Sequence, residues 1–293
     1  MPTQRTSLLR SDRLVLISAA ALILVGLSAG ASAATKGSKL LSKLKNIELC
    51  NGSDRSSPEP QIRGCTALID DARETTLVRS VAYNNRGDAY VARDDLDTAI
   101  NDYNQAISIN PDFARSFNNR GVAYHKKGNY ERALQDFDQA IKLNPDYGRA
   151  FANRAETHQM RHDYQAAARD YDSAVRLQPD IGAVWNGRCW TRAILGQLQP
   201  ALADCNKALA LKPNDAATLD SRALIYLKMG QLDSAISDYS LALRIEPKLA
   251  SALYGRGLAR IKKGDASGGN ADLSAAQSIE KKIAEDFSHY GVQ

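Results

Sequence analysis

From Ser80 onward, apolar residues recur along the chain in two alternating stripes, each with the 3.6-residue spacing of a helix face. The stripes return every 34 residues, which gives six units: 80–113, 114–147, 148–181, 182–215, 216–249 and 250–283. With Ser80 as position 1, the first stripe takes positions 4, 8 and 11. Position 4 is large (Tyr83, Phe117, Phe151, Trp185, Leu219, Leu253) and position 8 small (Gly87, Gly121, Ala155, Cys189, Ala223, Gly257). The second stripe takes positions 20, 24, 27 and 28. Position 20 is Ala99, Ala133, Ala167, Ala201, Ala235 and then Gly269, position 24 is mostly aromatic, and position 27 is alanine throughout. Small residues at 8, 20 and 27 let two helix backbones approach, and the large ones fill the space beside them. Position 15 is Gly128, Gly196, Gly230 and Gly264 in four units, where a turn needs positive φ. Position 32 is proline in five, which ends the second helix. Each unit is therefore expected to be a pair of antiparallel helices.

These columns, with NNRGDAY at 84–90 and NNRGVAY at 118–124, resemble the tetratricopeptide repeat (TPR) family. The resemblance spans residues 80 to about 283. It implies an all-α fold, a right-handed superhelical solenoid of helix-turn-helix repeats with a concave groove. His158, Arg192 and Arg260 depart from the family at position 11, where tyrosine is favoured. Unit six lacks the proline and carries Gly269 where alanine is usual, so it is expected to be the loosest repeat.

Two columns belong to this chain. Position 7 is arginine in every unit (Arg86, Arg120, Arg154, Arg188, Arg222, Arg256) and position 23 aspartate in every unit (Asp102, Asp136, Asp170, Asp204, Asp238, Asp272). Both lie equally far from the turn at position 15, hence at the same level of the hairpin. They predict a ladder of interhelical ion pairs setting register, with a charged binding strip as the alternative reading.

Residues 34–79 are an irregular helical cap. Cys65, Ile69 and Ala72 fall in frame with a second-type helix, expected over Gln61 to Leu77, with Leu40 to Cys50 as its partner. At the other end Ile279, Ile283, Phe287 and Tyr290 are spaced as one helix face, so residues 279–293 are expected to form a capping helix over the last repeat. Four cysteines suggest two disulfides. Cys50 and Cys65 flank a polar loop, and Cys189 and Cys205 face each other across one hairpin. Metal binding is the alternative, but there is no C-x-x-C and no Cys/His cluster.

Composition adds an address. The N-terminus carries Arg5, Arg10 and Arg13, then an apolar run from Leu14 to Leu27, then Ala31-Ser32-Ala33. That order is a cleavable signal peptide over residues 1–33, cut after Ala33. The run is 14 residues, short of the ~20 that span a bilayer. An uncleaved anchor is the alternative; otherwise no stable membrane insertion follows cleavage, and the location is periplasmic or secreted. The whole chain carries 38 Lys and Arg against 33 Asp and Glu, and the part after residue 33 has 35 against 32. That balance argues against a nucleic-acid partner.

No phosphate loop, zinc-protease or nucleophile-elbow motif is present, so the protein is read as no enzyme, with no cofactor and no metal. His158 and His162 are four apart but lack a third ligand. What remains is the groove, lined in the family by first-helix positions 2, 5, 6, 9, 12 and 13. By that rule the polar groove residues are Asn84, Asn85, Asn118, Asn119, Asn153, Arg115, Arg149 and Lys126. Asparagine both donates and accepts, so a row of it can pair with a peptide backbone; solvated surface polarity is the alternative. Asn84, Asp88, Asn119, Arg149 and Asn153 match the family's carboxylate clamp only in part. In units four to six the groove turns apolar, with Trp190, Ile194, Leu224 and Leu227. The expected function is a non-enzymatic scaffold that binds an extended protein or peptide segment in its groove. The alternatives are a regulatory subunit of a cell-envelope enzyme or a self-assembling solenoid.

Overall fold

The structure, a computed structural model, describes residues 31–53 and 57–292, with side chains from Gly37 onward. The apolar run assigned to a signal peptide lies outside these residues. Among the described residues there are fifteen helices and no strand. None of the helices is long and apolar enough to cross a membrane.

The chain forms two compact units, one ending at Pro145 and one beginning at Asp146. In the first, α1 (Ala31–Cys50), α2 (Glu59–Asp70), α3 (Thr76–Ala92), α4 (Leu96–Ile109), α5 (Ala114–Lys126) and α6 (Tyr130–Leu143) pack as consecutive pairs, each on its neighbour in sequence. In the second, four pairs follow: α7 (Gly148–Met160) with α8 (Tyr164–Leu177), α9 (Gly182–Ile194) with α10 (Leu198–Leu211), α11 (Ala216–Lys228) with α12 (Leu232–Ile245), and α13 (Ala250–Lys262) with α14 (Ala266–Ile279). A short α15 (Ile283–His289) closes the chain.

The repeat pattern sets these limits closely. From α5 to α14, each first helix stops at position 13 and each second helix runs from 17 to 30. The residue at position 15 has positive φ in all six units. Four are the glycines; Asp94 and His162 adopt φ of 62° and 60° without glycine's freedom. One residue on, Asp95, Asn129, Asp163 and Asp265 cap the second helix by accepting the N–H three residues ahead. The alanines at positions 20 and 27 have no solvent exposure in unit after unit, and Tyr103, Phe137, Tyr171 and Tyr239 fill the core beside them.

Three expectations need correction. The helix read over Gln61 to Leu77 is two helices. Asp71 leaves helical geometry and its carboxylate accepts from the Arg73 backbone N–H, while Thr75 caps α3 by accepting from Val78. Unit six is not loose. A Cβ on Gly257 would meet the Gly269 carbonyl oxygen at 2.9 Å, and one on Gly269 would meet that of Gly257 at 2.7 Å, so this glycine pair brings α13 and α14 into backbone contact. The C-terminal helix does not include Ile279, which ends α14 and is exposed.

The cysteines pair as Cys50–Cys65, tying α1 to α2, and Cys189–Cys205, tying α9 to α10.

Candidate functional site: an inner face and what already lies on it

The arginine and aspartate columns meet. In all six pairs the guanidinium engages its aspartate with two parallel bonds, Nε to Oδ2 and Nη2 to Oδ1, at 2.6–3.0 Å. A further nitrogen reaches back to the preceding pair. Nη1 of Arg86, Arg120, Arg188, Arg222 and Arg256 donates to Thr66, Asn104, Asp172, Asn206 and Ser240 respectively. The planar group also lies over the position 4 ring in four units, Tyr83, Phe117, Phe151 and Trp185, at 4.9–5.5 Å. The carboxylates are buried and each is held by two parallel arginine bonds, so the ladder is an internal brace and not a charged strip offered to a ligand. The departures at position 11 join it: Arg192 donates to Asp204 and Asp172, and Arg260 to Asp272.

The asparagines expected on the groove surface are placed elsewhere. Asn84, Asn85, Asn118, Asn119 and Asn153 have no solvent exposure. Asn119 Nδ2 donates to Asn84 Oδ1 at 3.2 Å and to Asp88 Oδ1 at 2.9 Å, Ser116 donates to Asn84, and the Tyr103 hydroxyl donates to Asp88 at 2.7 Å. Asn84 and Asn119 join α3 to α5, while the Asn84 and Asn118 amides donate to Asn85 and Asn119 beside them, so the reading of a peptide backbone by the buried row 84–119 is corrected. Donors and acceptors taken into the core are paired there, because leaving them unpaired would cost free energy. Arg115 and Arg149 remain partly accessible and Lys126 is exposed. His158 and His162 do not form a pair site: His158 lies near Asp163 and Asp170, and His162 contacts the Tyr164 hydroxyl. No metal-holding cluster occurs among the described residues.

Beside Lys126, His125 is half-buried, with its ring 5.3 Å from that of Tyr130. Burial, with a smaller contribution from Lys126, lowers its pKa to about 4. The neutral ring is the folded form, so its contribution is complete above the unfolded value near 6.5 and is lost as pH falls from there toward 4. The expected loss is up to about 3 kcal/mol over that interval. His125→Gln should flatten the stability profile between pH 7 and 4 in urea titrations; an unchanged slope would refute the assignment.

The apolar residues Trp190, Leu224 and Leu227 are buried, and Ile194 is partly so. Their cover is the chain's own C-terminus. Ile283, Phe287 and Val292 share one apolar cluster with Trp190, Leu224, Leu227 and Leu253. The Tyr290 ring meets Trp190 edge-on at 5.4 Å, and Phe287 meets Tyr254 at 4.8 Å. Lys228 Nζ donates to the Tyr290 carbonyl at 2.7 Å and to that of Ala193 at 2.8 Å, and burial lowers its pKa. Thus α15 packs on α13 and α14, and Tyr290 just after it reaches Trp190 of α9 and Lys228 of α11, so the C-terminal segment does not merely cover the end of the last pair. Apolar spacing announced this helix; nothing in it announced which surface it would take.

Models of one family, described as TPR repeat and tetratricopeptide repeat, match residues 87–128, 114–147, 152–216 and 223–264, together more than half of the chain. The chain belongs to the tetratricopeptide repeat family. Solved TPR structures share the fold. One from Parabacteroides merdae has a TM-score of 0.62 at 20% identity, covering 86% of this chain and 99% of its own. YrrB, described as a TPR protein with an unusual peptide-binding site, has a TM-score of 0.50 at 22% identity, covering 64% and 97%. PilW, described as a type IV pilus biogenesis factor, has a TM-score of 0.53 at 19% identity, covering 60% and 86%. No curated protein sequence matches this TPR chain significantly.

Proposed function

We propose that this TPR protein is a non-enzymatic interaction scaffold that holds a segment of a partner protein on the inner face of its first helices. The observation that carries the reading is the C-terminal segment lying on α9, α11 and α13, its side chains in the apolar cluster and its backbone carbonyl on Lys228. A surface that takes one peptide through buried rings and a main-chain bond has the chemistry to take another. Peptide binding by the similar YrrB agrees with this. On α5 of the first unit, Arg115 and Lys126 carry positive charge suited to acidic or carboxylate-bearing segments.

The proposed location is outside the cytoplasm. The basic, apolar and small-residue order of residues 1–33 supports it, as do two disulfides in a chain with no free cysteine among the described residues.

Photo-crosslinking in cells tests the reading. A benzophenone amino acid at Arg115, Ile194 or Leu258 should capture protein partners, and one at Gln135 or Arg169, on second helices, should not. Equal capture from both sets, or none, would overturn it.

A further inference from the structure

The turn between α7 and α8 breaks the rule of its own column. Position 15 is glycine in four units, yet here His162 takes a φ of 60°, a conformation that a Cβ disfavours. Its ring is held in place, with Nδ1 2.9 Å from the Tyr164 hydroxyl. In the tautomer with Nδ1–H donating to that oxygen, Nε2 keeps its lone pair and has no protein partner among the described residues. A strained backbone position carrying a ring that a second side chain orients is the arrangement of a ligand site.

The second ring comes from the far end of the chain. His289, the last residue of α15, has its ring centroid 6.2 Å from that of His162, with the planes 32° apart. These are two of the chain's four histidines, brought together from separate elements. The rings beside them fix the approach. Tyr164 meets Trp190 edge-on at 5.7 Å and Tyr290 meets the same indole at 5.4 Å, so each histidine stands next to a tyrosine seated on one tryptophan. Both histidines are exposed, and the His289 side chain makes no hydrogen bond among the described residues, so its ring is not spent on the fold. Two imidazoles that share a tetrahedral ion, at ~2.1 Å from each nitrogen, have centroids about 5 Å apart, a spacing that rotation of two exposed side chains reaches.

We propose that His162 and His289 form a two-histidine site for a divalent transition-metal ion of the Zn²⁺, Ni²⁺ or Cu²⁺ kind, which clips the C-terminal segment to the turn between α7 and α8. Imidazole selects these ions over Mg²⁺ and Ca²⁺, which take oxygen ligands. No third histidine, cysteine or carboxylate joins the pair among the described residues, so water completes the coordination shell and the ion exchanges with solution. Because α15 has 7 residues, too few to persist alone in water, a bond at its last residue steadies a helix that depends on its surroundings. The site is separate from the scaffold function proposed above, which its failure would leave untouched.

Calorimetric titration of Zn²⁺ into the untagged, metal-stripped full chain tests the site. One ion per chain should bind. His162→Gly and His289→Ala should each weaken binding by roughly tenfold or more, and Tyr164→Phe, which keeps the ring and removes the hydroxyl, by less. His162→Gly should fold at least as well as the unaltered chain, because glycine already serves this position in four units. Amide hydrogen exchange reads the clip: Zn²⁺ should slow residues 283–292 several-fold in the unaltered chain and leave them unchanged in His289→Ala, and Mg²⁺ should slow neither. Absence of Zn²⁺ binding, binding that survives either histidine substitution, or unchanged exchange with the ion bound would overturn the proposal.

Discussion

Asp204→Ala is expected to lower stability by about 3 kcal/mol or more, because it leaves buried cations without their carboxylate. Asp204 takes two bonds from Arg188 and a third from Arg192, and its side chain is 5% exposed. Arg188 and Arg192 would retain Asp172, which is 54% exposed and therefore a weaker partner. The loss should be concentrated in α9 and α10, where amide hydrogen exchange would accelerate before the rest of the second unit responds. By contrast, replacing Arg188 and Asp204 together with apolar residues of similar volume should restore much of the loss, since the desolvation of both charges is then avoided. A decrease under about 1 kcal/mol for the single alanine would show that the ladder braces nothing.

The two disulfides carry the second large effect. Cys189–Cys205 closes a loop of 16 residues and Cys50–Cys65 one of 15. In the chain-entropy account each contributes roughly 3 kcal/mol. Cys189→Ser/Cys205→Ser should therefore lower the urea midpoint substantially, and the four-serine variant should lose about twice as much, since the bridges lie in separate helix pairs. All four sulfurs belong to residues with no solvent exposure, so reductant alone should act slowly on the folded chain and quickly once urea opens it. Equal midpoints for the oxidised protein and the serine variants would refute the account.

How much of this was legible in the residues differs from feature to feature. The ladder was, because positions 7 and 23 are fixed by one hairpin whose turn sits midway between them. Within the repeats the helix limits were, because proline and the turn glycines act within one turn of the chain, whereas the limits outside the repeats at 61–77 and at Ile279 were not. The fate of Asn84 and Asn119 was not. Whether positions 5 and 6 face a groove or the next pair depends on the pitch between pairs, a quantity the periodicity of one unit does not contain. The best available signal was Asp88 and Tyr103, a carboxylate and a hydroxyl that need partners inside the core. For α15, the spacing of Phe287 and Tyr290 gave a face. Its seat required knowing that Trp190 and Lys228 both meet Tyr290.

The backward reach of Nη1 makes the two ends of the array unequal. Every such arginine depends on a residue earlier in the chain, and for Arg86 that residue is Thr66, supplied by a helix pair that is not itself a regular repeat. Removing the pair that precedes Arg86, Arg120, Arg188, Arg222 or Arg256 would strand a guanidinium donor, whereas removing the pair that follows one of them leaves its own Nη1 bond in place. Lengthening such an array by duplication is therefore easiest at its tail, and the irregular opening segment is the seat on which the first regular unit depends.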